Sequence, residues 1–441
     1  MKSKPKVALG MSGGVDSSLS AHLLVEAGYE VTGVYLECWR APGCRSEQDR
    51  KDALNVALDL GIKFEVLDFI GAYKQKVVEN FFEEYEAGRT PNPDVLCNKE
   101  IKFGLFYDWA MEEGFDYVAT GHYAKILGAR YLVSGIRCGV QQPNNSTTQQ
   151  LAIPVDTHKD QTYFLYRLRQ EQLDHILFPL GDLTKAEVRD QAKKRGIVVA
   201  NKPDSQGICF IGEINVHNFL KERLGENPGD VVNTAGEVMG RHSGLWFYTV
   251  GQRHGFEIFG KWKSKQGTLK HAMPPYYVIK KVPETNQLVV GFGAETYRQE
   301  FFVEDVHWIG NSETVKQLIV NSNEGDKLKE KSQNTDARDY GITTQPPNNT
   351  TTFVRIRHGG KLVPCQVEYE GERLKVILAE PIAGVAEGQS AVFYLGVGCQ
   401  VSLLRLSYGG RAGVSENQQR TNQATNQPAK YICLGGGVIV G

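Results

Sequence analysis

The sequence has few cysteines for its length, and no two of them have the spacing of a disulfide framework or a metal site. Eight cysteines are scattered through 441 residues. No C-x-x-C pair or His-Cys cluster accompanies them. This pattern excludes a disulfide-stabilised secreted scaffold and offers no candidate metal ligands. It predicts mostly buried thiols in a reducing cytoplasm.

Long hydrophobic runs and an excess of one charge sign are also absent. No segment is long enough to cross a bilayer, and the apolar run after Met1–Lys4 is too short for a secretory signal. We therefore expect no membrane association. Fifty Lys and Arg residues balance 51 Asp and Glu residues, for a formal net charge of −1. That balance argues against a uniformly basic nucleic-acid binder, but it permits local patches at 193–195 and at Arg355 with Arg357.

A phosphate-binding lysine is missing from the glycine-rich loop near the N-terminus, so the Walker pattern is absent. The loop reads ALGMSGGVDSS over residues 8–18. It follows an apolar strand at 6–9 and precedes an amphipathic helix at 17–27. Gly13 and Gly14 allow the backbone to approach a phosphate closely, and the helix adds its positive N-terminal end.

This loop predicts the pyrophosphate loop of ATP pyrophosphatases, which adenylate a substrate and release pyrophosphate. Ser12, Ser17 and Ser18 offer hydroxyl donors, and Asp16 is placed to hold Mg²⁺ or to orient the loop. The alternative is a strand-turn-helix corner in which Ser and Gly merely cap the helix.

The first two hundred residues alternate between strand-like and helix-like patterns. This alternation predicts an α/β fold with a doubly wound parallel sheet, whose ligands bind at the carboxyl ends of the strands. Strands are expected at 6–9, 31–36, 64–67, 117–120 and 152–155, and helices at 17–27, 50–60, 73–86 and 103–113. Thr184 and Glu187 form a capping box for a later helix that ends at Gly196.

From about residue 201, glycine and β-branched or aromatic residues in short runs predict an all-β region. One such run is a strand expected at 246–250. A chain of this length is expected to hold about two or three domains. We expect a catalytic domain at 1–208, a small central β-rich domain at 209–273 and a C-terminal β-barrel at 274–441. Segments near 141–150, 311–352 and 400–430 are rich in Asn, Gln, Ser and Thr, which predicts surface inserts that are dispensable for the fold.

Two cysteines stand out by their surroundings. Cys97 lies in TPNPDVLCNKEIKF, three residues after Asp94, and Lys99 is a candidate for lowering the pKa of its thiol. Cys209 lies in DSQGICFIG at the junction of the α/β and β-rich regions. Spacing alone leaves open whether the two cysteines meet or are unrelated structural thiols.

Seven motifs in a fixed order resolve this choice by resemblance. Besides the pyrophosphate loop and the two cysteine motifs, they are ATGHYAK (119–125), HKDQTYFL (158–165), GLWFYTVGQRHGF (244–256) and CLGGG (433–437). Together they resemble the bacterial tRNA-specific 2-thiouridylases of the MnmA family, over almost the whole chain outside the inserts. Arg357-His358 departs from the commoner Arg-Tyr pair of that family.

The resemblance implies thiolation at C2 of the wobble uridine in tRNAs for Lys, Glu and Gln, with ATP and Mg²⁺ as cofactors. It implies that the anticodon stem-loop of tRNA is bound and that a cysteine desulfurase or sulfur-relay protein donates the sulfur. Cys209 would carry the persulfide, Cys97 would be the second catalytic thiol and Asp94 an acid or base. The implied ATP-binding residues are Gly10, Met11, Ser12, Gly13, Gly14, Val15, Asp16, Ser17, Leu36 and Gly121. The implied contacts with tRNA or its target base are Asn92, Pro93, Asp94, His122, Lys159, Asp160, Gln161, Arg357, His358 and Gln389.

The implied chemistry is coherent, since adenylation converts the C2 oxygen into a good leaving group and a persulfide is a soft sulfur nucleophile. Cys97 would then either attack the remaining S–S bond or release hydrosulfide, and the sequence leaves both routes open. Other enzymes with this loop remain alternatives, namely a lysidine synthetase or an amidotransferase-type synthetase, as does a non-catalytic tRNA-binding protein.

Overall fold

The computed structural model describes residues 3–40, 45–128, 149–204, 215–259, 274–317, 319, 350–397 and 430–440. Within these residues three sheets are present. The predicted combination of a parallel α/β domain, a central β-rich domain and a C-terminal barrel is confirmed.

The N-terminal domain contains a five-stranded, all-parallel sheet in the order β3-β2-β1-β4-β7. Its strands are β1 (Lys6–Gly10), β2 (Glu30–Glu37), β3 (Lys63–Asp68), β4 (Tyr117–Thr120) and β7 (Ile176–Leu177). The central strands are buried on both faces, as expected for a sheet covered by helices on both sides. The strand order reverses at β1, between β2 and β4, where ligands bind in doubly wound folds.

Helices lie between the strands of this sheet along the chain, and two more follow its last strand. They are α1 (Val15–Glu26), α2 (Ser46–Leu60), α3 (Ile70–Tyr73, continued by Lys74–Val78 and Glu79–Glu86), α4 (Pro93–Cys97, continued by Asn98–Leu105 and Phe106–Glu112), α5 (Gln170–Leu173), α6 (Lys185–Lys194) and α7 (Val216–Leu224). The middle parts of α3 and α4 have π-helical hydrogen bonding. The predicted capping box is confirmed, because Thr184 accepts a bond from the amide of Glu187 and the Glu187 carboxylate accepts one from the amide of Thr184.

The C-terminal domain is a six-stranded antiparallel barrel that closes through pairing of β13 with β18. Its strands are β13 (Tyr297–Trp308), β14 (Thr350–Arg355), β15 (Val363–Glu370), β16 (Arg373–Ala383), β17 (Ser390–Val397) and β18 (Lys430–Val440). Two short strands from the N-terminal half, β5 (Lys125–Leu127) and β6 (Gln150–Ala152), extend this sheet beyond β18. The catalytic domain and the barrel are therefore joined by backbone hydrogen bonds.

The central sheet has the order β10-β9-β8-β12-β11. Its strands are β8 (Gly229–Val232), β9 (Val238–His242), β10 (Glu257–Ile258), β11 (Tyr277–Val282) and β12 (Gln287–Gly291). We expected the central domain to end at residue 273, but two strands of its sheet lie after that residue. Strands β11 and β12 belong to the central sheet because β12 pairs with β8.

Two of the expected strands need correction. The parallel strand expected at 152–155 is not formed: only Ala152 lies in a strand, as the last residue of β6 in the barrel sheet, and the fifth parallel strand is the two-residue β7. The strand expected at 246–250 is not formed, because Leu245–Phe247 make a 3₁₀ turn and the residues up to 250 belong to no strand. Short strands are assigned by their tertiary partners, which local sequence does not reveal.

The insert expected at 311–352 also carries structural residues. Val315 and Ile319 are buried in the hydrophobic core of the barrel. Residues 350–352 already belong to β14, and Thr352 is buried. The expectation that the whole segment is a surface insert is therefore wrong. Most of the segments near 141–150 and 400–430 lies outside the described residues.

Candidate active site

The pyrophosphate loop connects β1 to α1 at the reversal of strand order. Gly13 has φ +70°, and a Cβ there would clash with the backbone oxygen of Asp49. Gly14 precedes the first helical residue, and its carbonyl accepts hydrogen bonds from the hydroxyls of Ser17 at 3.3 Å and Ser18 at 2.8 Å. The loop therefore has the conformation that only glycine tolerates, with the positive end of a 12-residue helix behind it.

Gly121, which directly follows β4, packs against this loop. A Cβ at Gly121 would lie 2.8 Å from the backbone nitrogen of Ser17. Leu36 is buried near the carboxyl end of β2, and Met11 bonds through its amide to the Val34 carbonyl at 2.8 Å. The structure thus brings together, at one edge of the sheet, the residues for which the resemblance implied ATP binding.

Asp16 is held by two side chains that the sequence analysis missed. The Tyr123 hydroxyl donates to its Oδ1 at 2.8 Å, and Lys185 Nζ donates to both carboxylate oxygens at 2.7 and 2.8 Å. Burial, with the nearby Asp16 charge next in importance, raises the pKa of Tyr123, so the phenol keeps its proton. Lys185 is the first residue of α6, directly after the predicted N-cap, but nothing local signals its contact with Asp16.

Lys202 supplies a second cation to the loop. Its Nζ donates to the Gly13 carbonyl at 2.8 Å and pairs with Asp49 at 2.7 Å and Asp52 at 2.5 Å. Lys185 and Lys202 thus place ammonium groups against a loop that carries no lysine of its own, and both are paired with carboxylates there.

These lysines also limit how the carboxylates near the loop can bind Mg²⁺. Asp16, Asp49 and Asp52 each already have a lysine partner. The described residues contain no group of three or more His, Cys, Asp or Glu side chains arranged for a metal. The loop therefore suits a Mg²⁺ ion that arrives with nucleotide phosphates and takes one carboxylate, rather than a metal held by a protein cage.

Asp204 links Lys185 to two further cations. It pairs with Lys185 at 2.8 Å, Arg189 at 2.6 Å and Lys159 at 2.7 Å. Burial alone raises the pKa of this carboxyl group, but the hydrogen bonds from Lys159 and Lys185 outweigh it and lower the pKa to about 2. Asp204 is consequently a fixed negative charge beside the nucleotide loop.

Cys209 lies outside the described residues, within 205–214, but both flanks of that segment are held by the catalytic domain. Asp204 is fixed as described above. On the other side, Phe219 of α7 packs against Phe82 with ring centroids 4.9 Å apart, and Arg223 pairs with Glu79 of α3.

Cys97 lies at the end of the first segment of α4. Asn92 caps this helix by accepting a bond from the Val95 amide at 3.4 Å, and Pro93 occupies the first helical position. Cys97 is fully buried, in the same core as Leu36 at the end of β2. Lys99 faces solvent and pairs with Glu100 at 3.1 Å.

The His122 ring contacts Lys102 of α4 on one side and Thr120, the last residue of β4, on the other. Its Nε2 lies 3.4 Å from Lys102 Nζ and its Nδ1 lies 2.7 Å from Thr120 Oγ1. Because the ammonium group can only donate, Nδ1 carries the ring proton and donates to Thr120. Burial, followed by the charge of Lys102, lowers the pKa of His122 well below its usual range, so the imidazole is neutral.

Three family models match consecutive parts of the chain. They are described as tRNA methyl transferase HUP domain (residues 5–213), tRNA methyl transferase PRC-barrel domain (217–292) and Aminomethyltransferase beta-barrel domain (332–400). The relative "tRNA-specific 2-thiouridylase MnmA" of Shewanella sp. (strain MR-7) is 39% identical over 403 residues, which cover 89% of this chain and 94% of that protein. The protein of the same name from Shewanella sediminis is 38% identical over 414 residues, covering 91% and 96%.

The chain belongs to the MnmA family of tRNA-specific 2-thiouridylases. Among solved structures, the "U34-tRNA thiolase NcsA from Methanococcus maripaludis" is 19% identical, with a TM-score of 0.31, and covers 50% of this chain and 64% of that one. A likeness at that level carries no conclusion about function.

The tRNA contacts expected from the MnmA resemblance fall into exposed and buried positions. Arg357 and His358 are exposed, and the His358 ring stacks on Phe164 with centroids 4.4 Å apart. Lys159 is partly exposed and pairs with Asp204. These three are accessible to a large ligand.

Asp160 and Gln161 have contacts within the protein instead. The Asp160 carboxylate is 1% exposed and pairs with Arg355 at 2.5 Å, while Thr162 donates to it through its amide and its hydroxyl. Gln161 accepts a bond from the Tyr123 amide at 2.8 Å. Arg355 is therefore buried, and the basic surface patch expected at Arg355 with Arg357 is reduced to Arg357.

The Gln389 side chain also forms hydrogen bonds within the protein. Its Nε2 donates to the carbonyl oxygens of Thr90 at 2.9 Å and Pro91 at 3.2 Å, in the loop that leads to Asn92 and Cys97. No local pattern indicates this contact, because it joins residues about three hundred positions apart.

Proposed function

We propose that this chain thiolates C2 of the wobble uridine of tRNAs for Lys, Glu and Gln, in an ATP-dependent adenylation followed by sulfur transfer. The observation that carries the proposal is the position of the pyrophosphate loop. It lies at the same sheet edge as the helix that bears Asp94 and Cys97, in a chain that matches MnmA relatives over 89% of its length. Because a stacked base hides C2, the target nucleotide must be turned out of the anticodon loop to react.

In the first step, the C2 oxygen of the uridine attacks the α-phosphorus of ATP, and pyrophosphate leaves. The amide groups of the pyrophosphate loop and the N-terminus of α1 stabilise the negative charge on the phosphates. The ammonium groups of Lys185 and Lys202 lie beside the loop as further donors, each paired with carboxylates. Mg²⁺, taken up with ATP and ligated by Asp16, would neutralise part of the remaining phosphate charge.

In the second step, the terminal sulfur of a Cys209 persulfide attacks C2, and AMP leaves with the former C2 oxygen. The thiolate of Cys97 then attacks the Cys209 sulfur, which breaks the S–S bond and leaves the thiocarbonyl on the base. The product is a Cys97–Cys209 disulfide that a cellular thiol must reduce. The alternative route has Cys97 release hydrosulfide from Cys209 before C2 is attacked, with the same disulfide as product. In both routes Asp94 acts as the acid or base.

The partners follow from this chemistry. The persulfide sulfur comes from a cysteine desulfurase or a sulfur-relay protein, and the anticodon stem-loop is held by exposed side chains such as Lys159, Arg357 and His358. No helix in the described part of the chain is long and apolar enough to cross a membrane. We place the reaction in the cytoplasm, where reduced thiols and tRNA are present.

Separate substitutions of the two cysteines test the proposal. Cys209→Ser removes the sulfur carrier, so a desulfurase fed with radioactive cysteine should leave no label on this residue. Cys97→Ser should still load sulfur on Cys209 and adenylate tRNA, yet form no 2-thiouridine, because a serine hydroxyl is not ionised at neutral pH.

Buried Cys365, which lies in the barrel core, offers a matched control. Cys365→Ser should keep both activities in the fraction of protein that folds. Near-normal thiolation by the Cys97 variant would contradict the two-thiol mechanism. Normal 2-thiouridine in tRNA from a strain that lacks the gene, measured by mass spectrometry, would contradict the function itself.

A further inference from the structure

Tyr123 contacts the nucleotide loop through its side chain and a distant segment through its backbone. The hydroxyl donates to Asp16 Oδ1 at 2.8 Å. The amide donates to the Gln161 side-chain oxygen at 2.8 Å, and the carbonyl accepts a bond from the Gln161 amide at 3.0 Å. Tyr123 is buried in the same core as the first turns of α1. One buried residue therefore connects Asp16 to the end of the segment formed by residues 156–161.

Asp156 makes a second connection at the other end of this segment. Its Oδ1 accepts bonds from the amides of the residues two and three positions later, at 3.1 and 3.2 Å, which closes a turn. Its Oδ2 accepts a bond at 2.8 Å from the amide of Lys185, the first residue of α6. The Lys185 ammonium group in turn donates to both carboxylate oxygens of Asp16. The 156–161 segment is thus connected to Asp16 from both of its ends.

The connected parts serve different substrates under the proposed function. Asp16 lies in the nucleotide loop, whereas Lys159 and Gln161 are residues for which the family resemblance implied tRNA contacts. The bond from the Tyr123 amide uses only the Gln161 oxygen, so a tRNA contact through the Gln161 side-chain nitrogen is compatible with it. The relative position of ATP and tRNA therefore depends on the contacts of Tyr123 and Asp156.

We propose that Tyr123 and Asp156 are positioning residues for the adenylation step, because they hold the nucleotide loop and the 156–161 segment in one fixed arrangement. The C2 oxygen of the uridine must reach the α-phosphorus of ATP in line with the leaving pyrophosphate. An error in the relative placement of the two substrates consequently slows the reaction. This proposal rests on the proposed function, which supplies the two substrates.

Rate and affinity separate this role from direct binding. A side chain that binds ATP or tRNA contributes to Kd for that ligand. A side chain that aligns the two bound substrates contributes to the rate when both are saturating, since a displacement of about 1 Å costs on the order of a hundredfold. A loss of stability alone changes neither quantity in the protein that remains folded.

Tyr123→Phe removes only the hydroxyl and keeps the ring and both backbone bonds to Gln161. With ATP and unmodified tRNA saturating, we expect single-turnover AMP formation to slow about tenfold or more, because a hydrogen bond to a charged group is lost. Kd for α,β-methylene-ATP with Mg²⁺ and Kd for tRNA should each change less than about threefold. Tyr248→Phe is the matched control, since its buried hydroxyl donates to the Gly255 carbonyl at 2.8 Å in the central domain. Both variants should lose similar stability toward urea, and only Tyr123→Phe should slow AMP formation.

Asp156→Asn tests the second connection, because a side-chain amide has one acceptor oxygen where a carboxylate has two. The variant can keep the bonds that close the turn or the bond from the Lys185 amide, and not both. We expect AMP formation at saturation to slow about five- to tenfold, with Kd for each ligand changed less than about threefold. Asp116→Asn is the control, since Asp116 accepts a bond from the Lys6 amide at 2.7 Å at the opposite end of the parallel strands.

A raised Kd for either ligand, with an unchanged rate at saturation, would show direct binding and overturn the proposal. AMP formation by Tyr123→Phe and Asp156→Asn at the rates of their control variants would overturn it as well. If the wild-type chain forms neither AMP nor 2-thiouridine with tRNA, the proposed function fails. Hydrogen–deuterium exchange then still decides whether the two residues hold these parts of the chain. We expect faster exchange of the peptides spanning 10–20 and 156–161 than in the controls, and equal exchange would contradict the connection.

Discussion

At the scale of single residues, Asp16 carries the negative charge of the nucleotide loop. Its carboxylate is shared by the Tyr123 hydroxyl and the Lys185 ammonium group. Asparagine at this position keeps an acceptor for Tyr123 but removes the ion pair and the negative charge. Asp16 is therefore the residue at which the adenylation step can be tested apart from tRNA binding.

We expect Asp16→Asn to lower AMP formation with unmodified tRNA about tenfold or more, because the loop stabilises charge on the phosphates. Affinity for tRNA should stay unchanged, since it depends mainly on basic side chains elsewhere. ATP–pyrophosphate exchange and filter binding measure the two quantities. Asp190→Asn, at an exposed ion pair on α6, is the control. Normal AMP formation by Asp16→Asn would exclude the Asp16 carboxylate from the mechanism.

His122 gives the protein a specific response to acid. The folded state holds this imidazole neutral, because burial and the Lys102 charge lower its pKa well below 6.5. The unfolded chain takes up a proton near pH 6.5, so the unfolded state binds more protons below that pH. Stability therefore falls as pH drops through 6.5, with a slope of up to about 1.4 kcal/mol per pH unit from this residue.

Urea unfolding at pH 7.5, 6.5 and 5.5 measures this contribution. His122→Asn should unfold with a weaker dependence on pH than the wild type, whereas exposed His254→Gln should leave the dependence unchanged. Equal slopes for the wild type and His122→Asn would mean that His122 is not held neutral in the folded state.

At the scale of secondary-structure elements, the success of prediction depends on how local the determining contacts are. Strand β1, the loop after it and helix α1 were predicted because glycine, serine and hydrophobic periodicity act within a few residues. Strand β7 was missed since it has two residues, and β6 was assigned to the wrong sheet because only its pairing with Ile432 decides where it belongs. Lys185 and Lys202 were missed for the same reason, as they reach the loop across 169 and 189 residues.

The segment near 311–352 shows the limit of composition as a guide. Its polar content predicted a dispensable surface insert, yet Ile319 is fully buried in the barrel core. We expect Ile319→Ala to lower the free energy of unfolding by about 2–4 kcal/mol, the usual cost of a large buried aliphatic side chain. Deletion of 311–352 should destabilise the barrel, while a short linker in place of 322–348 should not.

Chemical denaturation of these variants, with Val155→Ala as an exposed control, provides the measurement. A change below about 0.5 kcal/mol for Ile319→Ala would mean that this segment does not contribute to the barrel core.

At the scale of the whole molecule, the buried pair of Asp160 and Arg355 joins the catalytic domain to the barrel. Asp160 precedes the helical turn that carries Tyr163, and Arg355 ends β14. The side chains are 1% and 8% exposed, and their oxygen and nitrogen atoms lie 2.5 Å apart. Removal of one partner leaves the other charge buried without compensation, which typically costs about 3–5 kcal/mol.

Arg355→Met should therefore lower the free energy of unfolding by about 3–5 kcal/mol, because methionine fills the space of the arginine stem but leaves the Asp160 carboxylate unpaired. Adding Asp160→Asn should recover a large part of this loss. The amide oxygen still accepts the two bonds from Thr162, and the buried charge is gone.

Urea unfolding of the single and double variants forms a double-mutant cycle. Lys375→Met, which breaks the exposed pair with Glu300, should cost less than about 1 kcal/mol in the same assay. If Arg355→Met lowers the free energy of unfolding by no more than this surface variant, the buried ion pair contributes little to the contact between the two domains. The pairing of β6 with β18 and the hydrogen bonds of Tyr163 then hold the domains together.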